Sequence, residues 1–182
     1  LVVGINVLRN DARSALAIAS VTGCHFIRVN VLSGVAATDQ GLVQGKAHEL
    51  LREKKRLGSS VAILADVQVK HARTLSSDSI ELMVEEAVLR AGASGVIVSG
   101  STTGRAVEQS DLVLAAKAAK KANAPLYIGS GATPENVQGL KKYADGIIVS
   151  SSVRKNGKAG LPLDQKRMRD FVNKYLGKGQ KK

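Results

Sequence analysis

The chain has 182 residues, of which 44% are hydrophobic and 23% charged, the composition of one ordinary globular domain. Its single cysteine, Cys24, excludes a disulfide scaffold, and no apolar run approaches the roughly 20 residues of a transmembrane segment. We therefore expect an intracellular protein of the cytoplasm or an organelle matrix. The net charge of +12 indicates affinity for polyanions or an acidic partner, although charges spread over helix faces also suit simple solvation.

In chain order, short β-branched runs alternate with helical patterns. Most of the runs begin continuously apolar, as strands of a parallel sheet do. They predict strands at 2–8, 25–32, 61–69, 95–100, 125–131 and 146–152. The clearest helical stripes are Ile80, Val84, Ala87, Val88 and Ala91, and Met168, Phe171, Val172 and Tyr175. Strand followed by helix, repeated six times, defines an α/β protein.

Local signals mark the ends of the predicted helices. Asp78 with Glu81 is typical of a capping box, and Thr133 before Pro134 is typical of an N-cap followed by a first-turn proline. Asn10 is also predicted to be a cap. The glycines at expected helix ends are Gly23, Gly58, Gly92 and Gly177.

The loops decide between two α/β architectures. The first strand-to-helix turn, LRNDA, lacks the glycines of a doubly wound nucleotide-binding sheet. The loops after the last two strands, IGSGATPEN and IIVSSSVRKNG, consist of small residues, as in barrels that bind phosphate there. The sequence therefore predicts a TIM (β/α)8 barrel of the phosphate-binding type.

The length of the chain then predicts which units are present. A unit of such a barrel takes about 31 residues, so 182 residues hold about six. We expect the third to eighth units in one domain at 1–176, with the first two units missing, and a basic tail at 177–182.

Polar residues gather where the third predicted strand ends. Asp66, Gln68 and Lys70 alternate with valines and so share a face, and His71 begins the following loop. An acid, an amine and an imidazole suit proton transfer or Schiff-base chemistry on a sugar phosphate. Asp66, Lys70 and His71 are thus candidate catalytic residues and Gln68 a candidate substrate contact. The alternative is an Asp66–Lys70 pair that only shapes the barrel.

Further substrate contacts are predicted on the first two strands and the loop after the second. Arg28 and Asn30 share a strand face, and a buried arginine needs an acidic partner, for which Asp66 is the nearest candidate. Asn6 ends the first strand. Asp39 either binds substrate or caps the next helix.

The phosphate-binding candidates lie in three loops. Gly129 and Gly131 allow a close approach of backbone to ligand, and Thr133-Pro134 opens a helix whose free N–H groups attract anions. The full set is Gly100, Ser101, Gly129, Ser130, Gly131, Ser151, Ser152 and Arg154. No close His, Cys, Asp and Glu spacing typical of zinc occurs, so neither a metal nor a cofactor is predicted.

Several segments resemble one family in its own order along the chain. GINVLRND, FIRVNVLSG, TDQGLVQGKAHELLR, ILADVQVKHA, GSGATPENV and IIVSSSVRKNG are similar to the BtpA family. The resemblance implies a ribulose-phosphate-binding type of barrel, a family segment before Leu1, a role in photosystem I biogenesis in phototrophs, and a plastid or mitochondrion as possible organelles. Two departures bear on activity: Gln68 stands where the family often has histidine, and SSSVR replaces a loop commonly reading GTSLK.

Three functions remain open. The first is a BtpA-like protein of complex biogenesis or stabilisation with a phosphate or sugar-phosphate site, acting as a homo-oligomer or a subunit of a larger complex. The second is an active sugar-phosphate aldolase or isomerase. The third is a basic scaffold subunit of a ribonucleoprotein or organellar complex. Nucleic acid is a poor partner, because aromatic residues make up only 3% and none lies among the basic residues.

Overall fold

The structure, a computed structural model, describes residues 1–38, 41–68, 73–74, 78–100 and 108–178. The strands of this part of the chain are β1 (Gly4–Ile5), β2 (Phe26–Val29), β3 (Val35–Thr38), β4 (Gly41–Gln44), β5 (Ala62–Gln68), β6 (Arg73–Thr74), β7 (Gly95–Val98), β8 (Leu126–Ile128) and β9 (Gly146–Ile147). The helices are α1 (Ala12–Thr22), α2 (Ala47–Arg56), α3 (Ile80–Glu85, continued by a π-helical turn over Glu86–Arg90), α4 (Gln109–Lys121), α5 (Val137–Leu140) and α6 (Gln165–Tyr175). Short 3₁₀ turns span Ser151–Val153 and Lys155–Gly157.

Six parallel strands form the main sheet, in the order β1, β2, β5, β7, β8, β9. The strands follow one another in chain order with a helix between neighbours, as in a (β/α) barrel and unlike a doubly wound sheet, whose order reverses. The predicted α/β class and the presence of a strand at each of the six positions are confirmed, but β1 and β9 span only two residues of the predicted 2–8 and 146–152. The curled sheet is a half-barrel, and within the described residues β1 and β9 are its open edges.

The outer face of the main sheet carries the main hydrophobic core. Alternate strand residues point toward the helices, because successive side chains of a strand face opposite sides. Ile27, Ile63 and Val96 are examples, each at most 1% exposed. The helices contribute small or branched side chains such as Leu16 and Ala115, both fully buried.

The inner face is filled by large residues set against glycines. The ring of Phe26 occupies the space beside Gly4, where a Cβ would stand 2.1 Å from the ring. Tyr127 occupies the space beside Gly146, where a Cβ would approach to 2.7 Å. This alternation of large and small side chains is how the interior of a barrel is filled. Phe26 and Tyr127 are only half-buried, because this face is open on one side.

Helix caps agree with the sequence in part. Gly23, Gly58, Gly92 and Gly177 adopt positive φ where helices end, as predicted. The expectations for α1 and α3 are each wrong by one residue. Asp11, not Asn10, caps α1 by accepting the amide of Ser14, and Ser79, not Asp78, caps α3 by accepting the amide of Leu82.

The Asn10 side chain bonds to the backbone of Val31 rather than capping a helix. It donates to the carbonyl oxygen of Val31 at 2.8 Å and accepts the amide of Val31 at 2.7 Å. These two bonds tie the loop after β1 to the end of β2.

A second, antiparallel sheet has the order β4, β3, β6 and was not predicted. β3 and β4 form a hairpin within the loop after β2, and β6 comes from the loop after β5. α2 begins only at Ala47, with Lys46 in the cap position, so the interpretation of Asp39 as the cap of that helix is wrong. Asp39 itself lies outside the described residues.

The last part of the chain has a small core of its own. Ala132, Val137, Val153 and Phe171 form it, with Tyr175 packed alongside. Asp164 caps α6 by accepting the amides of Lys166 and Arg167. The helix predicted to open at Thr133-Pro134 begins later than predicted: residues 134–136 form a turn, and α5 is a four-residue helix that starts at Val137.

Candidate functional site

A polar network lies on the inner face of β2 and β5. Two nitrogens of Arg28 donate hydrogen bonds to Asp66. Nη2 donates to Oδ1 at 2.8 Å, and Nε donates to both carboxylate oxygens at 3.2 Å. Asn30 Nδ2 donates to Asp66 Oδ2 at 2.6 Å. The Asp66 side chain is 2% exposed and that of Arg28 is 25% exposed. The predicted pairing of Arg28 with Asp66 is confirmed.

Asn6 joins the network from β1. Its Nδ2 donates to the carbonyl oxygen of Arg28 at 2.8 Å and lies 3.4 Å from Asn30 Oδ1. Three neighbouring strands thus hold one buried carboxylate and one partly exposed guanidinium. The structure therefore brings Asn6, Arg28, Asn30 and Asp66 together, and their roles in substrate binding and catalysis stay predictions.

Other predicted residues lie outside the described part of the chain. Lys70, His71, Asp39 and Ser101 belong to this group. Gln68 ends β5, pairing with Val98 after a register shift, and its side chain is not described. The catalytic assignment of Asp66, Lys70 and His71 therefore stays a prediction.

A cavity of about 1040 Å³ opens beside the network, at the C-terminal ends of β8 and β9. Arg28 lines this cavity, so the Arg28–Asp66 ion pair is accessible from it. Its walls come from the two predicted phosphate loops and from α6. The loop residues are Gly129, Ser130, Gly131, Ala132, Thr133, Pro134, Glu135, Ile148, Val149, Ser150, Ser151, Ser152 and Gly157.

Gly129 is glycine for a structural reason. A Cβ there would stand 2.3 Å from Ser99 Oγ, 2.8 Å from Ile97 Cγ2 and 3.4 Å from Arg28 Nη2. Ser99 is buried, and its hydroxyl lacks a partner within the described residues. Close packing against Ser99, Ile97 and the Arg28 side chain accounts for the missing side chain, and the predicted approach of a ligand to Gly129 stays a prediction.

The loops after β7 and β8 are also hydrogen-bonded to each other. The buried Ser130 hydroxyl accepts the amide of Gly100 at 3.2 Å, which fastens the loop after β7 to the loop after β8. Gly131 has φ +76°, a left-handed conformation that glycine adopts without strain. The predicted phosphate-binding residues Gly100 and Ser130 thus bind each other.

The Thr133-Pro134 turn does not present the free amides that were predicted. Asn136 Oδ1 accepts the amide of Thr133 at 2.8 Å. The Glu135 carboxylate accepts a hydrogen bond from the Thr133 hydroxyl, and this bond, with its own backbone amide, lowers the pKa of Glu135. Glu135 also lines the cavity, so a carboxylate lies on the wall where the sequence predicts an anion to bind.

In the loop after β9, the predicted serines line the cavity but the predicted arginine does not. Ser151 and Ser152 line the cavity from the 3₁₀ turn. Arg154 lies outside the cavity lining, because its Nη1 donates to the carbonyl oxygen of Leu161 at 2.6 Å and so closes the base of the loop. Arg154 thus lies away from this cavity, and its predicted contact with phosphate stays a prediction.

The positive charge comes instead from α6, which the sequence did not assign to the site. Lys166, Arg167 and Arg169 line the cavity. Arg167 Nη1 lies 3.5 Å from the carbonyl oxygen of Ser152, so it sits directly beside the serine loop. Asp164 and Asp170 share this wall and offset part of the charge. A cluster of basic residues at the start of the last helix was the available signal.

A second cavity, of about 360 Å³, lies on the other side of the ion pair. Asn30 and Asp66 line it together with Asp78, Glu86 and Met83. The Arg28–Asp66 pair therefore forms part of the wall between a mixed-charge cavity and an acidic one. In the described ranges no group of three His, Cys, Asp or Glu side chains is placed to hold a metal ion.

The fold and the site define a (β/α) barrel protein with a polar network beneath a charged mouth. The BtpA family profile matches residues 1–176, and the chain belongs to the BtpA family. The resemblance read from the sequence is thereby confirmed. Among the parts of the chain that the structure describes, no helix is both long and apolar enough to cross a bilayer.

Relatives from distant organisms match most of the chain. It is 52% identical over 170 residues to the photosystem I biogenesis protein BtpA of Synechocystis, covering 93% of this chain and 58% of that protein. It is 44% identical to an uncharacterized protein of Pyrococcus furiosus, covering 94% and 64%. It is 36% identical to an uncharacterized mitochondrial protein of Caenorhabditis elegans, covering 93% and 60%. The chain thus spans about six-tenths of the length of these relatives.

A solved structure supports the fold. Phosphoribosyl anthranilate isomerase from Thermus thermophilus matches with a TM-score of 0.59 over 91% of this chain and 68% of that enzyme. The sequence identity is 12%, so the likeness shows the barrel architecture alone.

Proposed function

We propose that the mouth of this half-barrel binds a small phosphorylated compound, and that the protein serves the biogenesis or stabilisation of a larger complex. The Synechocystis relative is named for photosystem I biogenesis, and this chain shares 52% of its aligned residues. In this proposal the chain works as a homo-oligomer or as a subunit of the complex it serves.

One observation carries the ligand proposal: hydroxyl and guanidinium groups converge on the same wall of the large cavity. Ser151 and Ser152 present their backbone turn and hydroxyls there, and Arg167 reaches the same loop from α6. Arginine forms charge-assisted, two-pronged hydrogen bonds with phosphate oxygens. Arg28, at the floor, can bind another oxygen of the same ligand because Asp66 holds its guanidinium in place.

Binding of glycerol 3-phosphate, with glycerol as the uncharged control, tests the proposal by calorimetry and by NMR shifts. We expect binding of the phosphate ester alone, and a loss of affinity of roughly tenfold in Arg167→Gln, since one charge-assisted bond is worth about 1.5 kcal/mol or more. Arg52→Gln, an exposed arginine on α2, is the matched control and should bind normally. Equal binding of glycerol, or equal loss in both variants, contradicts the proposal.

A sugar-phosphate aldolase or isomerase is the second candidate, favoured by the buried Asp66 beside the cavity. Asp66 or Lys70 would perform the chemistry. Borohydride reduction in the presence of dihydroxyacetone phosphate tests the Schiff-base mechanism: labelling of Lys70 supports it, and an unlabelled chain excludes it. An exchange of substrate C–H protons with deuterium that disappears in Asp66→Asn would support an isomerase instead.

The surface charges suit the scaffold candidate less well. Several cations form ion pairs on helix surfaces, including Lys121–Glu85 at 2.8 Å and Arg56–Glu53 at 2.7 Å. Such pairs are typical of solvated helix faces and weaken the case for nucleic acid as a partner. For location we propose a reducing compartment, either the cytoplasm or the matrix of a mitochondrion or plastid; the worm relative is named as mitochondrial.

A further inference from the structure

A third cavity is a groove on the outer surface, at the end of the sheet opposite the charged mouth. It has a volume of about 650 Å³ and lies between the last turns of α4 and the turn that follows α5. Residues 123–126 and 141–145, which lead into β8 and β9, complete its lining. Since ligands of a barrel bind at the C-terminal ends of the strands, a partner bound in this groove leaves the mouth free.

The floor of the groove is apolar and recessed. Ala119 and Leu126 line it and are only 1% and 2% exposed. Ala116, Pro125 and Tyr143 complete the apolar wall and are partly buried. A recessed apolar floor receives a side chain that a partner inserts, as the buried centre of a protein interface does.

The rim of the groove is basic. Lys120, Lys141 and Lys142 line it and are exposed. Among the described lining residues Asp145 carries the one carboxylate, and its Oδ2 already accepts a backbone amide at 2.9 Å. Lys141 is held in place, because its Nζ donates to the carbonyl oxygen of Tyr175 at 3.1 Å and lies 4.7 Å from the centre of that ring. We call this cavity the basic groove.

Two of these lysines differ from a neighbouring cation on α4. Lys121 pairs with Glu85 at 2.8 Å. Lys120 and Lys142 form no ion pair with any residue in the described part of the chain. Cations that lack a carboxylate partner, set around a concave surface, attract carboxylates from another molecule.

We infer that the basic groove binds an acidic segment of a partner protein, which places carboxylates against the lysines and an apolar side chain on the floor. Charge complementarity selects this occupant. A second copy of the chain is a poor occupant, because each copy carries a net charge of +12. The inference names a class of partner for the complex-forming role proposed above.

Two other polyanions fit the basic groove less well. The described lining contains lysine but no arginine, whereas arginine has the planar fork that matches phosphate in nucleic acids. A membrane surface binds proteins through apolar side chains that protrude into the bilayer, and those of the basic groove are recessed.

Titration of the chain with a synthetic peptide of the repeat Glu-Glu-Leu tests the inference by fluorescence anisotropy and NMR. We expect saturable binding at low salt that weakens at high salt, with amide shifts confined to residues 116–126 and 141–146. A peptide of the repeat Glu-Glu-Ser should bind roughly fivefold more weakly, because it leaves the apolar floor uncovered. Absence of binding, or shifts elsewhere, overturns the inference.

A charge-reversal variant locates the contact. Lys120→Glu combined with Lys142→Glu should weaken peptide binding roughly tenfold or more, because two attractions become repulsions. The matched control, Arg52→Glu combined with Lys55→Glu, reverses two exposed cations of α2 and changes the net charge equally. It should lose far less affinity. Equal losses in the two double variants overturn the assignment to the basic groove.

Two further probes decide the class of partner. Oligo(dT) and vesicles of phosphatidylglycerol present phosphates instead of carboxylates. Tighter binding of either probe than of the Glu-Glu-Leu peptide, or self-association of the chain through the basic groove, overturns the inference. Glycerol 3-phosphate should bind equally to the unsubstituted chain and to the Lys120 and Lys142 double variant, because no residue lines both the basic groove and the large cavity. Failure of either proposal therefore leaves the other standing.

Discussion

The two faces of the main sheet are made by the same strands and differ in almost every physical respect. Toward the helices, residues such as Ile63 are dry and apolar. Toward the inside, Leu64 is only half-buried, Arg28 lines the large cavity and Asp66 lines the smaller one. Since strand side chains alternate, one residue step separates a position that holds the fold from a position that faces a ligand. Stability and chemistry can therefore vary separately along one strand.

The sharpest test of this contrast uses two neighbouring residues of β5. Ile63→Ala should lower the free energy of unfolding by about 3 kcal/mol, because it leaves a cavity in the dry core. Leu64→Ala, one step along and half-buried on the inner face, should cost only about 1 kcal/mol. Urea denaturation of both variants measures the difference. Equal losses would mean that the inner face is as tightly packed as the outer one.

The packing around Gly129 is the next largest effect and shows where the inner face is tight. Gly129→Ala should cost about 2 kcal/mol, since its methyl group would overlap Ser99 Oγ and Ile97. Adding Ser99→Gly should recover part of the loss, whereas Ser99→Gly alone should be mild. Thermal unfolding of the three variants forms a cycle. Additive losses would show that Ser99 is not the obstacle.

Asp66→Asn probes the polar network with little change of shape. We expect a loss of about 1.5 kcal/mol of stability, the typical value of a hydrogen bond to a charged group. Arg28 should also lose its fixed orientation, so affinity for glycerol 3-phosphate should change more than in Leu64→Ala. Denaturation and calorimetry on the same samples separate the two effects. An unchanged affinity would place Arg28 outside the ligand site.

The smallest effect concerns the outer helices and depends on pH. Hydrogen bonds from the amide and hydroxyl of Ser14 lower the pKa of Asp11 below its ordinary value. The stabilisation is therefore complete above the ordinary aspartate range and is lost as pH falls through the lowered value. Asp11→Ala should cost about 1 kcal/mol at neutral pH. Asp11→Asn should keep the cap and flatten the acid dependence. Parallel curves of stability against pH for the unsubstituted chain and for Asp11→Asn would contradict this role.

Much of the fold was within reach of the sequence. The six strands of the main sheet were visible because buried parallel strands read as short apolar runs, and the glycine helix ends because only glycine adopts the required φ freely. The second sheet was not visible. The pairs between β3 and β6 join Ala36 with Thr74 and Ala37 with Arg73, and such long-range pairings leave no local periodicity.

The site was predictable to a similar degree. An arginine in a barrel strand needs a carboxylate, and this requirement alone located Asp66. The close packing at Gly129 could not be predicted, because its neighbour Ser99 comes from the end of another strand. Arg167 was not predicted at the site, because only the path of the chain after β9 brings it beside the serine loop.

The unpredicted sheet has a practical consequence for protein engineering. β3 bonds to β4 from its own loop and to β6 from the loop after β5, so the two loops at this end of the barrel are a single hydrogen-bonded unit. Transplanting either loop alone into another scaffold would break the pairing of β3 with β6. A graft of new specificity onto this barrel must therefore exchange both loops together.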